Sequence, residues 1–250
     1  MKKTALKICL TILMTVASAT AQQNVQNAVN YNNQGVKQMN AEKYEAAIES
    51  FNQAAKLEPN YAIAHYNLGT AFYFLKQYDK AVSAFQTAVK INPLYSEAYN
   101  QLGVARVELE QYDKAVDAFK EAIRQKPRGA VAYYNLGCVY IRLNNFEAAV
   151  AALEQAKQLD PNNAEIRLNL GYAYTRQKSY KEAVAEMRQA VNLDQNLTDA
   201  QFQLGMLYLL LKDKPSALAQ YNLVKSLNYE LGQKLYRSIY HDKIVSAVNF

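Results

Sequence analysis

Cysteine and histidine are nearly absent from this sequence, two of each in 250 residues. Cys9 lies in an N-terminal apolar run, which leaves Cys138 as the one thiol of the remaining chain. No intrachain disulfide is then available. A lone cysteine in an oxidising compartment is either a small packing residue or open to a partner. His65 and His241 have no His-Glu-x-x-His run and no paired cysteines beside them, so no metal motif is present. Acidic residues are scattered, as on solvated helix faces. No catalytic residue, metal ligand or cofactor is assigned, and the chain is expected not to be an enzyme. Lysine and arginine form no dense block, so the footprint of nucleic-acid binding is missing. Beyond the first 21 residues there is no long apolar stretch, and the mature chain is expected to carry no membrane-spanning segment.

The N-terminus reads as an export signal. Lys2, Lys3 and Lys7 form a basic head, Ile8 to Ala17 a short apolar core, and Ala19-Thr20-Ala21 a small-residue cleavage site. No cysteine stands at that site, so a lipid anchor is not expected. The formal charge of +6 overstates the mature chain: without those three lysines, 25 basic side chains face 22 acidic ones.

What the sequence does have is a repeat. Gly35, Gly69, Gly103, Gly137, Gly171 and Gly205 stand 34 residues apart with no insertion, and Ala47, Ala81, Ala115, Ala149, Ala183 and Ala217 follow them by twelve. Such self-similarity marks a stacked array of one supersecondary unit. Each unit reads as two helices. Apolar residues recur at helical spacing around the glycine, as in Tyr133, Leu136 and Tyr140, and again in Tyr112, Ala115, Phe119 and Ala122. Pro59, Pro93, Pro127 and Pro161 close four of the units. Glycine and alanine are expected where the helices cross, with larger side chains excluded by overpacking.

Leu68-Gly69, Leu102-Gly103, Leu136-Gly137, Leu170-Gly171 and Leu204-Gly205, with the runs Ala81–Phe85–Ala88 and Ala115–Phe119–Ala122, resemble the tetratricopeptide repeat. The resemblance covers about residues 28–228. It departs from the family pattern at Gln34, Met187, Gln195, Val224 and Tyr229, towards the ends of the array. It implies an all-α, right-handed solenoid of six repeats. The expected organisation is a signal peptide over 1–21, a linker over 22–27, repeats over 28–228, and a capping helix with tail over 229–250. Leu231, Leu235, Ile239 and Val245 form the apolar stripe of that cap.

In such arrays the first helices line the inner, concave wall. The residue two before each glycine is then a wall residue, and it is always a carboxamide: Asn33, Asn67, Gln101, Asn135, Asn169 and Gln203. A carboxamide both donates and accepts, so it can pair with a peptide group in either direction. The row resembles the asparagine ladders by which superhelical repeat proteins hold an extended chain. It is equally compatible with mere support of the helices. Tyr66, Tyr73, Phe74, Tyr134, Tyr172 and Phe202 are candidate selective pockets beside it. Glu97, Val131, Glu165, Arg142 and Arg176 share the same narrow face. The lysine and far basic pair of the chaperone-docking carboxylate clamp are missing around Asn32, Val36, Asn67 and Thr70.

The expected function is that of a non-catalytic, periplasmic or secreted adaptor that binds an extended segment of a partner protein. An oligomerising scaffold using the convex face, or an accessory that binds glycan through the groove aromatics, are the alternatives. Processing gives the first test. The mature protein should begin at Gln22, as read by N-terminal sequencing of the exported form; an intact Met1 or a lipid-modified start contradicts the signal.

Overall fold

The computed structural model describes the backbone of residues 2–240 and the side chains of residues 20–240. Among these residues there are helices and no strand: α1 (Lys2–Asn40), α2 (Tyr44–Leu57), α3 (Ala62–Phe74), α4 (Tyr78–Ile91), α5 (Ser96–Glu108), α6 (Tyr112–Gln125), α7 (Ala130–Arg142), α8 (Phe146–Leu159), α9 (Ala164–Arg176), α10 (Tyr180–Leu193), α11 (Thr198–Leu210), α12 (Lys214–Leu227) and α13 (Tyr229–Tyr240). No described helix is long and apolar enough to cross a membrane.

The chain forms two compact units, residues 1–125 and 126–250. In the first, α1 pairs with α2, α3 with α4 and α5 with α6, and the first helices of successive hairpins touch, α1 against α3 and α3 against α5. In the second, the pairs are α7 with α8, α9 with α10 and α11 with α12, the first helices α7, α9 and α11 touch in turn, and α13 packs on α11 and α12. Each unit thus presents a wall of first helices.

The hairpins close where the glycines lie. A Cβ at Gly35, Gly69 or Gly103 would sit 2.5–2.7 Å from the Cε1 of Phe51, Phe85 or Phe119. Those three rings are fully buried, so the glycine supplies the space that the ring fills. In the second unit Leu153 faces Gly137 and Met187 faces Gly171. The sixth hairpin departs from this rule. The ring position sixteen residues on is Tyr221, but Gly205 instead meets Leu235 of α13, whose Cδ2 would be 2.6 Å from an added Cβ. The last helix therefore supplies the side chain that fills the space at this glycine.

Each hairpin turn passes through the left-handed region, at Glu42, Lys76, Glu110, Asn144, Lys178 and Lys212, with φ between 57° and 63°. None is a glycine. The next residue donates back over the helix end, as Gln77 N to Phe72 O at 2.9 Å and Asn145 N to Tyr140 O at 2.9 Å. This is the closure that usually recruits glycine. Here the chain accepts side-chain strain at every turn.

One boundary differs from the sequence reading. Residues 22–27, expected as a linker, lie inside α1, because no glycine or proline interrupts the chain before Gly35. The cap is helical over Tyr229–Tyr240; His241, Lys243 and Val245 lie outside the described residues.

The glycine contact yields a comparison. Gly103→Ala drives a methyl group into the Phe119 ring, which is packed on all sides, and should cost about 1–3 kcal/mol despite the roughly 1 kcal/mol that alanine gains in a helix. Gly171→Ala meets buried Met187, at 2.9 Å from its Cγ, but an unbranched thioether chain adapts more readily than a ring, so it should cost less than Gly103→Ala. Urea unfolding of both variants checks this; equal losses contradict the packing argument.

Candidate functional site

The carboxamides of the two walls fall into distinct situations. In the first unit Asn33 is exposed, while its neighbour Asn32 is buried. Asn67 donates through Nδ2 to Asn32 Oδ1 at 2.8 Å. Asn67 therefore ties its helix to the preceding first helix. Gln101 is half-buried on α5. The aromatics of this wall are largely engaged. Tyr66 packs 5.8 Å from Phe85 and 5.1 Å from Tyr95. Phe74 stacks flat on Tyr44 at 5.2 Å yet remains 54% exposed. Tyr73 donates its hydroxyl to Glu108 Oε1 at 3.2 Å; burial and then the Glu108 charge push it up to about 12.

The second unit repeats the same tie. Asn169 donates through Nδ2 to Tyr134 Oη at 3.3 Å and to the Glu165 carbonyl at 2.9 Å. Both amide hydrogens are then spent, and Oδ1 is left to accept. Tyr134 stands in its repeat where Asn32 stands in the first, 35 residues before the donor in each case. One repeat further on, Leu168 occupies that place and Gln203 the donor place. A leucine accepts nothing, and the Nε2 of Gln203 is buried with no hydrogen-bond partner. Gln203 is only 7% exposed, so an unsatisfied amide nitrogen of this kind costs about 1–3 kcal/mol.

Gln203 itself belongs to the lining of a cavity of about 490 Å³ on the second wall, built by Cys138 and Arg142 of α7, Glu165, Asn169, Tyr172 and Arg176 of α9, and Asp199 with Gln203 of α11. Asn135 lies on α7 one turn before this lining. Arg176 is held by two neighbours: Nη1 donates to Tyr172 Oη at 2.8 Å, and its guanidinium covers the Phe146 ring at 4.5 Å. Phe202, expected beside the groove, is instead 3% exposed and packs with Met206, Val224, Leu235 and Ile239. It is a core residue, because α13 covers that side of α11.

Burial pushes the Cys138 thiol up to about 11, against the lowering pull of its hydrogen bond with Tyr134 and of nearby Arg142. It is protonated at neutral pH and lacks the thiolate character of a nucleophile. Among the described residues no three His, Cys, Asp or Glu side chains gather as metal ligands. His65 Nε2 lies 3.1 Å from the Pro59 carbonyl. A second cavity, about 380 Å³, opens between α3 and α4 over His65, Phe72 and Lys80 and contains no carboxamide.

The sequence reading named Asn169, Gln203 and Tyr134, but neither the pairing across 35 positions nor Leu168, which leaves Gln203 without an acceptor. Asp199 was also missed, although it occupies the register of Glu97 and Glu165.

The tetratricopeptide repeat family matches residues 32–96, 68–130, 100–164 and 134–197. The chain belongs to the tetratricopeptide repeat family. Repeats of this family generally serve as protein-interaction scaffolds rather than enzymes. A search of curated proteins found no match. Among solved structures the chain resembles YrrB, described as a TPR protein with an unusual peptide-binding site, at 22% identity and a TM-score of 0.66 over 76% of this chain and 99% of that one. It resembles MamA at 25% identity and 0.63, covering 68% and 93%, and the Pseudomonas aeruginosa pilF protein at 18% and 0.74, covering 86% and 99%. These likenesses support the fold.

Proposed function

We propose that this repeat protein is an exported adaptor of the cell envelope that holds an extended segment of a partner protein against the first-helix wall of its second unit. The basic head, apolar core and Ala19-Thr20-Ala21 site support export. The observation that carries the binding site is the buried Gln203 Nε2, a donor without an acceptor on a residue that lines a cavity. Beside it, Asn169 offers the opposite function, an acceptor oxygen. A donor and an acceptor on adjacent helices match the C=O and N–H groups of an extended backbone. The similarity to YrrB, a TPR protein with a peptide-binding site, supports the same reading. Selection by backbone alone tolerates many sequences, as an adaptor for varied segments requires.

The donor state of Gln203 has a signature that few binding residues share. Replacing a buried, unsatisfied amide with an apolar group of similar size removes a desolvation cost, so Gln203→Leu should raise stability by about 1–2 kcal/mol. The same change removes the donor and should weaken binding of a decapeptide selected from a random library by about two- to twelvefold, the equivalent of about 0.5–1.5 kcal/mol. Thermal unfolding and fluorescence titration measure the two effects. A variant that binds as wild type, or one that loses stability, overturns the assignment and favours a scaffold working through another face.

A further inference from the structure

Four charged side chains line the second unit's cavity: Arg142, Arg176, Glu165 and Asp199. No ion pair joins any two of them, so all four keep their charge available to a guest. They are sorted by sign. Glu165 and Asp199 are the second residues of α9 and α11, while Arg142 and Arg176 are the last residues of α7 and α9. From Glu165 to Arg176 along α9 is a rise of about 16 Å. The cavity therefore has an acidic edge and a basic edge, with Asn169 and Gln203 on the floor between them.

The helix dipole favours acids at the start of a helix and bases at its end, but it does not explain the basic edge. In the first unit the residues equivalent to Arg142 and Arg176 are Phe74 and Glu108, the last residues of α3 and α5. One is uncharged and the other has the wrong sign for the dipole. The two arginines are thus particular to the wall that carries the unpartnered Gln203. Arg176 is also fixed in place, by Tyr172 Oη and the Phe146 ring. Only one of its five N–H donors is spent on Tyr172.

Strand geometry connects the floor to the edges. In an extended chain the backbone N–H and C=O groups point sideways, and successive side chains point to opposite faces. If the backbone groups meet Asn169 and Gln203, the side chains run along the helix axes, alternately to one edge and the other. We infer that the segment held here carries an acidic side chain toward Arg142 and Arg176 and a basic one toward Glu165 and Asp199, at positions an odd number of residues apart. This rests on the proposed function, since it presumes an extended peptide in the cavity.

Parity makes the inference testable without knowing the natural partner. Three fluorescent Ser/Thr decapeptides serve as probes: one with Glu and Lys adjacent, one with Glu and Lys two residues apart, and one without charge. The first two have the same composition and net charge. The full chain should bind the adjacent pair roughly tenfold more tightly than the other two. High salt should erase the difference, since exposed charges are screened. Glu165→Gln with Asp199→Gln should abolish the preference while the uncharged peptide binds as before. If all three peptides bind with equal affinity, the charge selection is overturned and backbone capture stands. If none binds, the peptide cavity itself fails and the charge selection falls with it.

Discussion

The structure depends on how closely two helices of a hairpin approach at one glycine. Where Phe51, Phe85 and Phe119 press against Gly35, Gly69 and Gly103, there is no room for even a methyl group. The rings are buried and the alanines around them, such as Ala81 and Ala115, are fully enclosed. This contact sets the crossing of each hairpin, and the hairpin sets where its first helix stands in the wall. Within each unit the uniform spacing lets a side chain two residues before one glycine meet a side chain three residues before the preceding glycine, as Asn67 meets Asn32 and Asn169 meets Tyr134. The wall chemistry follows from the packing.

At that facing position the chain does two different things. Asn32 with Asn67, and Tyr134 with Asn169, form hydrogen bonds between successive first helices. Such bonds brace the stack and leave limited capacity for a ligand. Leu168 opposite Gln203 breaks the series and leaves a buried donor unpaired. A protein optimised only for stability would have kept an acceptor at 168 or an apolar residue at 203. An uncompensated polar group of this kind points to a guest that satisfies it. The strained turns at Glu42, Lys76, Glu110, Asn144, Lys178 and Lys212 recur in every repeat and do not single out a site in this way.

Much of the architecture was legible because it depends on residue size at fixed spacing. Gly103 with Ala115 and Phe119 describes a hairpin contact in one dimension, and the helices appear where that pattern places them. Three features were not legible. Residues 22–27 look like a linker by polarity, yet nothing in them breaks a helix. The nearest partner of Gly205 comes from α13, since Leu235 enters from a helix outside the repeat where the Tyr221 ring would be expected. The carboxamide row, uniform in sequence, splits in space into an exposed Asn33, bonded Asn67 and Asn169, and an unpaired Gln203. The pairing runs across 35 positions, between non-equivalent places in neighbouring repeats, and does not show when only equivalent positions are compared. Phe202 illustrates the same limit: its neighbours on α13 could not be inferred from the repeat.

The most direct measurement is on the Gln203 side chain itself. With the chain uniformly labelled with nitrogen-15, the side-chain amide protons of Gln203 and Asn67 report their hydrogen bonding separately. Saturation with a bound extended peptide should shift the Gln203 Nε2 protons downfield and slow their exchange with solvent, while those of Asn67, already bonded to Asn32, stay unchanged. A peptide that binds while the Gln203 amide keeps its free shift and exchange rate would contradict the cavity as the binding site.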